Sequence, residues 1–144
     1  MAAGQPLRGA NGWAGELGSI PMGAAGTLDQ LAGGAAILRR LGLNADALRT
    51  KAEAGDEVVL RSLREAGTAL GQGLATVINL LNPQRVSLAG GTLTLPGYAA
   101  AALRAAEAHS LPDLWRACAV RPSPHGALLV ALGAARKAQP GGSS

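Results

Sequence analysis

Glu16 is the only carboxylate in the first 28 residues, and it stands in a glycine-rich stretch, GANGWAGELG. A carboxylate on such a loop can accept two hydrogen bonds from neighbouring sugar hydroxyls. Taken by itself it reads sooner as an exposed loop glutamate. Asp29 is the next carboxylate, two residues past Thr27. The positive end of a helix macrodipole accounts for an acid there without any ligand. Gly90 and Gly91 follow a short stretch, Arg85-Val86-Ser87-Leu88-Ala89, that reads as a buried strand. A strand ending in two glycines lets a ligand approach the backbone closely, and backbone N–H groups there can meet a phosphate or a ribose. Glycines at a strand-to-helix turn also serve turn geometry alone.

Other chemistries find little support. His109 and His125 lie 16 residues apart with Cys118 between them, and no pair has metal-ligand spacing. His109 reads as a helix-end residue and His125 as a capping residue. One cysteine excludes an internal disulfide framework and any multi-cysteine zinc site, and it fits a reducing compartment, hence a cytoplasmic expectation. No Walker A sequence, G-x-S-x-G elbow or strand-borne G-x-G-x-x-G is present, and Gly71-Gln72-Gly73 falls inside a helical pattern. The net charge is +4, but 11 of the 13 basic residues are arginine and they are interleaved with acids along the chain. With Trp13, Trp115 and Tyr98 as the only aromatics and no helix-turn-helix pair, a nucleic-acid surface is not expected.

The elements that must hold these residues come from a chain of 144 residues, 48% hydrophobic, with 21 glycines and no phenylalanine. Its length suggests one domain, and its core must be assembled from small side chains. No apolar run approaches the roughly 20 residues of a membrane span, the longest being Ala127 to Ala135, and the start does not read as a secretory signal. Residues 1–27 read as a loop with at most a short strand, because glycine recurs about once per helical turn. One helix is predicted from Thr27 to Gly42, then a short one over 45–54 capped by Asn44. A long helix is predicted from Asp56 to Leu81, with Val58, Val59, Leu63, Leu70, Leu74, Val77, Ile78 and Leu81 at helical spacing. It carries no charge after Glu65, so that half should be buried on most sides. Gly67, Gly71 and Gly73 each lower helix propensity by about 1 kcal/mol relative to alanine, and a closely approaching neighbour would explain them. Asn82-Pro83 ends that helix. After the strand and glycine pair, Pro96 suits the first turn of a helix running to about Ala108. A second strand over 117–120, a turn at Pro122 and Pro124, a last helix over 126–138 and a tail over 139–144 complete the pattern. Helix–strand–helix–strand–helix is an α/β unit with a parallel strand pair.

In order, RGANGWAGELGSI, GTLDQLAGGAAI, Gly55-Asp56, the long helix into INLLNPQRVSLAGG, and HGALLVALGAA together resemble the ROK family of bacterial glucokinases and sugar-responsive repressors. The resemblance covers about residues 8–137. It implies a helix-rich partial lobe of the actin-like ATPase and sugar-kinase (ribonuclease H-like) fold, with a small, mostly parallel sheet over residues 1–138. Only the C-terminal part of the family body is matched. The family's D-x-G-x-T phosphate loop, its catalytic Asp and a β-meander, which come before that part, are not in this sequence.

Within the matched part, the resemblance implies that Glu16 is a sugar ligand, with Asp29 a second one in place of the family's glutamate. It places Gly90 and Gly91 on the nucleotide side. The family's zinc ligands fall on Ser19, Ile20, Met22 and Thr27, so the resemblance implies a lost zinc site and no metal. The resulting expectation is the sugar-sensing and dimerisation part of a carbohydrate-responsive transcriptional regulator, without catalytic residues or kinase activity of its own. The alternative is the remnant of a glucokinase-like sugar kinase, for which ATP and magnesium would be the cofactors. A bland pairing module that completes another chain is a third reading. Expected partners are a sugar ligand and either a second copy or a missing N-terminal half, because a lobe without its meander exposes a sheet edge and apolar helix faces. Neither a membrane nor, through this chain, DNA is expected as a partner.

Overall fold

The longest stretch of helical periodicity forms the longest helix, α4, over Glu57–Leu81. Asp56 starts it: Oδ1 accepts the backbone N–H of Val58 at 3.1 Å and of Val59 at 3.2 Å, donors that a helix N-terminus leaves unpaired. These bonds, with Lys51 Nζ 3.1 Å from Oδ2, hold the Asp56 carboxyl below the usual carboxylate range. Asn82 ends it in the left-handed region, with φ of 43°, and Pro83 follows. The structure, a computed structural model, describes residues 6–123. The predicted last helix over 126–138, the tail over 139–144, His125 and Pro124 lie outside the described residues.

Before α4 come α1 (Leu28–Ala32), α2 (Gly34–Leu41) and α3 (Ala45–Glu53); after it come β1 (Arg85–Leu88), α5 (Tyr98–His109), α6 (Pro112–Ala117) and β2 (Ala119–Pro122). The strands pair in parallel, Arg85 opposite Ala119 and Leu88 opposite Pro122, joined by a crossover through α5 and α6. The small-residue core works by close backbone approach. A Cβ at Gly67 would fall on the Tyr98 carbonyl, and one at Gly71 would fall on the Ala102 carbonyl and lie 2.6 Å from the Ala105 methyl. The facing side chains Ala101, Ala102, Ala105 and Ala106 are all buried. On another face of α4, Gly73 admits the Leu28 side chain from α1. The expected reason for these glycines is therefore the observed one.

Several expectations need correction. The single helix from Thr27 to Gly42 is two helices. Gly33 adopts an extended conformation, with ψ of 141°, and serves as the last cap of α1 and the first of α2. Two consecutive glycines make that break inexpensive. Val58 and Leu81 are exposed, not on the buried face, and the last turn of α4 emerges from the core with Leu80 77% exposed. The neutral half of α4 is thus buried only as far as α5 and α1 cover it. β1 is half-buried, with Arg85 and Ser87 facing solvent. Pro96 precedes the helix it was expected to open, because Gly97, at φ of 81°, takes the cap position and α5 begins at Tyr98. Helix α6 was not foreseen, although Pro112 at its first position is its signal. It displaces β2 two residues toward the C-terminus, so Pro122 closes the strand. Residues 6–27 form a loop with two short 3-10 turns (Leu17–Ser19 and Gly23–Ala25) and a single antiparallel bridge between Pro21 and Thr27. Among the described residues no helix is long and apolar enough to cross a membrane.

Candidate functional site

The loop ahead of α1 folds back on itself. The Leu28 N–H donates to the Ile20 carbonyl at 3.0 Å, and the Met22 N–H to the Gly26 carbonyl at 2.7 Å. The Thr27 N–H donates to Gln30 Oε1 at 2.9 Å, one arm of a capping box. Leu17, Ile20 and Met22 pack against buried Leu28, Ala32 and Ala69. This closure carries Gly18 against the Asp29 carboxylate, so close that a Cβ at residue 18 would overlap it. A side chain at residue 18 would turn the exposed carboxylate away, so glycine lets Asp29 keep this position.

Asp29 is exposed in the first turn of α1 and lines a cavity of about 280 Å³. Ala89, Gly90 and Thr92 also line it, as do Leu70 and Tyr98. Gly90 has φ of 144° and nothing within 4 Å of a Cβ built on it, so conformation, not crowding, requires glycine there. Gly91 opens a 3-10 turn, Gly91–Thr94, in which Thr94 Oγ1 donates to the Gly91 carbonyl at 2.7 Å. It lines a neighbouring cavity of about 240 Å³ together with Arg49, and Thr92 and Gly34 border both spaces. Glu16 is exposed and lines a third cavity of about 550 Å³, beside Val77, Leu80 and Leu81. The structure therefore brings Asp29 and Gly90 into one cleft, puts Gly91 next door, and sets Glu16 on the far side of Leu17, which borders both its cavity and the Asp29 cleft.

Tyr98 was not foreseen as part of the site. It is 4% exposed, and its hydroxyl donates to the Ala32 carbonyl at 2.7 Å. Burial pushes its phenol up to about 12. With its proton committed to a carbonyl and held that tightly, Tyr98 is no base at neutral pH. The sequence did carry a signal, since this is the one tyrosine in a chain with very few aromatics and it follows a Pro-Gly turn. The cleft can thus accept hydrogen bonds from hydroxyls at Asp29 and admit a ligand against the backbone at Gly90.

The family's zinc ion, whose ligand positions the resemblance places on Ser19, Ile20, Met22 and Thr27, does not fit the residues present. Ile20 has no donor atom and packs with Met22 in the apolar cluster under α1, leaving only the hydroxyls of Ser19 and Thr27. No group of three or more His, Cys, Asp or Glu that could hold a metal occurs among the described residues. Backbone hydrogen bonds and apolar packing close the loop instead. Accordingly, a chelator is expected to leave the melting temperature unchanged, and elemental analysis of the purified chain to find no stoichiometric zinc. A fall in Tm with chelator, restored by zinc, would contradict this reading of the loop.

The fold and this site can be set beside known proteins. A sequence model of the ROK family matches residues 1–139. A solved ROK hexokinase from Thermus thermophilus is 34% identical and superposes with a TM-score of 0.77, over 90% of this chain and 48% of the hexokinase. A ROK family transcriptional regulator, a homolog of the E. coli MLC protein, is 21% identical with a TM-score of 0.70, over 81% of this chain and 36% of the regulator. No functionally curated protein matches. The chain spans about half of the hexokinase and about a third of the regulator. Both neighbours have the actin-like ATPase fold, to which the helix-rich body and small parallel sheet described here correspond. With a family match along nearly the whole chain and a solved relative above 30% identity over nine-tenths of it, the chain belongs to the ROK family.

Proposed function

We propose that this chain is a carbohydrate-binding lobe that performs no phosphoryl transfer by itself. The observation that carries the proposal is the cleft, which Asp29 and the Gly90 turn both line. Asp29 supplies the acceptors that vicinal hydroxyls need. No second acid–base group joins it: among the described residues lining the cleft, the other ionisable side chain is Tyr98, whose proton is committed to Ala32. Phosphoryl transfer needs a positioned base and phosphate–magnesium electrostatics. The sequence contains no D-x-G-x-T element to supply the latter.

In its finer form the proposal is the effector-sensing part of a cytoplasmic, carbohydrate-responsive regulator, because a site that binds without turning over suits a sensor. A second reading, kinase ancestry, draws support from the higher identity to the hexokinase, 34% against 21% for the regulator. The DNA immediately upstream separates them: a helix-turn-helix reading frame favours the regulator, one opening on D-x-G-x-T alone favours the kinase.

The common claim is tested by titrating glucose and N-acetylglucosamine into the purified chain by calorimetry and assaying the same preparation with ATP and magnesium. Saturable hexose binding without ADP release is expected. ATP-dependent phosphorylation of either sugar would overturn the non-catalytic part of the proposal, and absence of any hexose binding would overturn the rest.

A further inference from the structure

The break between α1 and α2 leaves a backbone carbonyl without its helical partner. In one continuous helix the Ala36 N–H would donate to the Ala32 carbonyl. Here the Ala36 N–H donates to the Gly33 carbonyl instead, at 3.0 Å. The Ala32 oxygen is taken by the Tyr98 hydroxyl, across 66 residues of sequence. Tyr98 is the first residue of α5, reached from Gly90 through a run of tight turns. The Leu93 N–H donates to the Gly90 carbonyl at 3.3 Å, the Leu95 N–H to Thr92 at 3.1 Å and the Tyr98 N–H to Leu95 at 3.3 Å. On the other side, the Gly33 N–H donates to the Asp29 carbonyl at 3.0 Å, so the turn that ends at the break is the one that begins with Asp29. Gly34, at the start of α2, lies near the same turn, so that a Cβ there would come 3.0 Å from Thr92 Oγ1.

We infer that Tyr98 is a positioning residue of the cleft: its hydroxyl ties the helix that carries Asp29 to the turn that carries Gly90, and so fixes the separation of the two walls. The inference rests on the carbohydrate-binding reading for its functional consequence, and on geometry alone for the tie itself. The hydroxyl is the one polar atom of a buried ring, and its acceptor is a carbonyl that the local backbone leaves unpaired. Removing it frees that carbonyl, and the cheapest relief is to let α1 move toward water, taking Asp29 with it. The rest of the ring stays packed against α4, which leaves the core intact.

The test is Tyr98→Phe in the full chain, read in two ways. Amide hydrogen exchange without ligand is expected to quicken about tenfold at Gly33 and Leu31, with Leu63 and Ile78 in α4 unchanged. Hexose affinity is expected to fall about tenfold with the secondary structure retained. Unchanged exchange at Gly33 would overturn the inference. Equal quickening in α1 and α4 would also overturn it, since that pattern marks a general loss of stability. If the unsubstituted chain binds no hexose, the carbohydrate reading fails, while the exchange pattern still decides whether the tie exists. If exchange localises to α1 but hexose affinity is unaltered, the positioning role is overturned.

Discussion

Replacing Gly71 with alanine is expected to destabilise the chain by about 2–3 kcal/mol, although alanine is the better helix former. Two effects oppose each other. Helix propensity favours the substitution by about 1 kcal/mol. Against it, the new methyl would overlap the Ala102 carbonyl and come 2.6 Å from the Ala105 methyl and 2.8 Å from the Ala106 nitrogen. Two of those three partners are backbone atoms of a twelve-residue helix and cannot rotate away. The α4–α5 pair would have to move apart, which loosens every buried alanine along the contact. Gly73→Ala is expected to cost less, because its obstacle is the end of the Leu28 side chain, which has rotamers to try. Gly91→Ala serves as the control, with open space around the new methyl and no positive φ, and should stay within about 0.5 kcal/mol of the parent. Urea denaturation reads all three as shifts of midpoint at constant slope. A Gly71→Ala protein as stable as the parent would mean that the two helices do not cross as closely as described.

The same comparison explains what the sequence makes legible. Glycines at 67, 71 and 73 break the propensity of an otherwise strong helix, and a residue that weakens its own element points to a tertiary demand. The demand is visible in the sequence, but the partner is not. Helix α3 and the start of α4 were equally legible, since Asn44 and Asp56 cap them by local hydrogen bonds that depend on neighbours three residues away or fewer. The break at Gly33 was not. Gly33-Gly34 in a run of apolar residues is compatible with a weakened helix or with two helices, and the donor that pairs the Ala32 carbonyl freed by the break is the Tyr98 hydroxyl, far along the chain. Helix α6 and the shift of β2 share this character, because Pro112 signals a helix start while the strand register depends on what Arg85–Leu88 offers as a partner. Asp29 is legible in the sequence as a helix-start acid and Gly90 as a turn glycine, a ligand role for either comes from the resemblance alone, and the structure lines one cleft with both. Their meeting depends on the long α4 between them and on the Tyr98–Ala32 hydrogen bond, and no local pattern encodes it. Glu16 shows the converse, since its glycine-rich surroundings mark a loop but not the side of Leu17 on which the loop lays the carboxylate.

Asp29→Asn is expected to weaken hexose binding by about 30-fold, equivalent to about 2 kcal/mol, the range for hydrogen bonds to a charged group. Asparagine keeps the shape of the side chain and its room over Gly18. It loses the charge and exchanges one acceptor oxygen for a donor, so a pair of sugar hydroxyls that both donate can no longer be satisfied. Stability should change by no more than a few tenths of a kcal/mol, because the residue is exposed and α1 is only five residues long, with little dipole to complement. The affinity loss and the stability change are thus separable in one protein, by calorimetry and by urea denaturation. Glu16→Gln sharpens the argument. The resemblance assigns both acids to the sugar, whereas the structure sets Glu16 in a different cavity, beyond Leu17. If the ligand lies in the Asp29–Gly90 cleft, the Glu16 variant loses much less affinity than the Asp29 variant. Equal losses would require one sugar to reach around Leu17 to both carboxylates, and the cleft would then be only the inner half of the binding site. No loss in the Asp29 variant, with hexose binding intact, would remove the cleft from the account altogether.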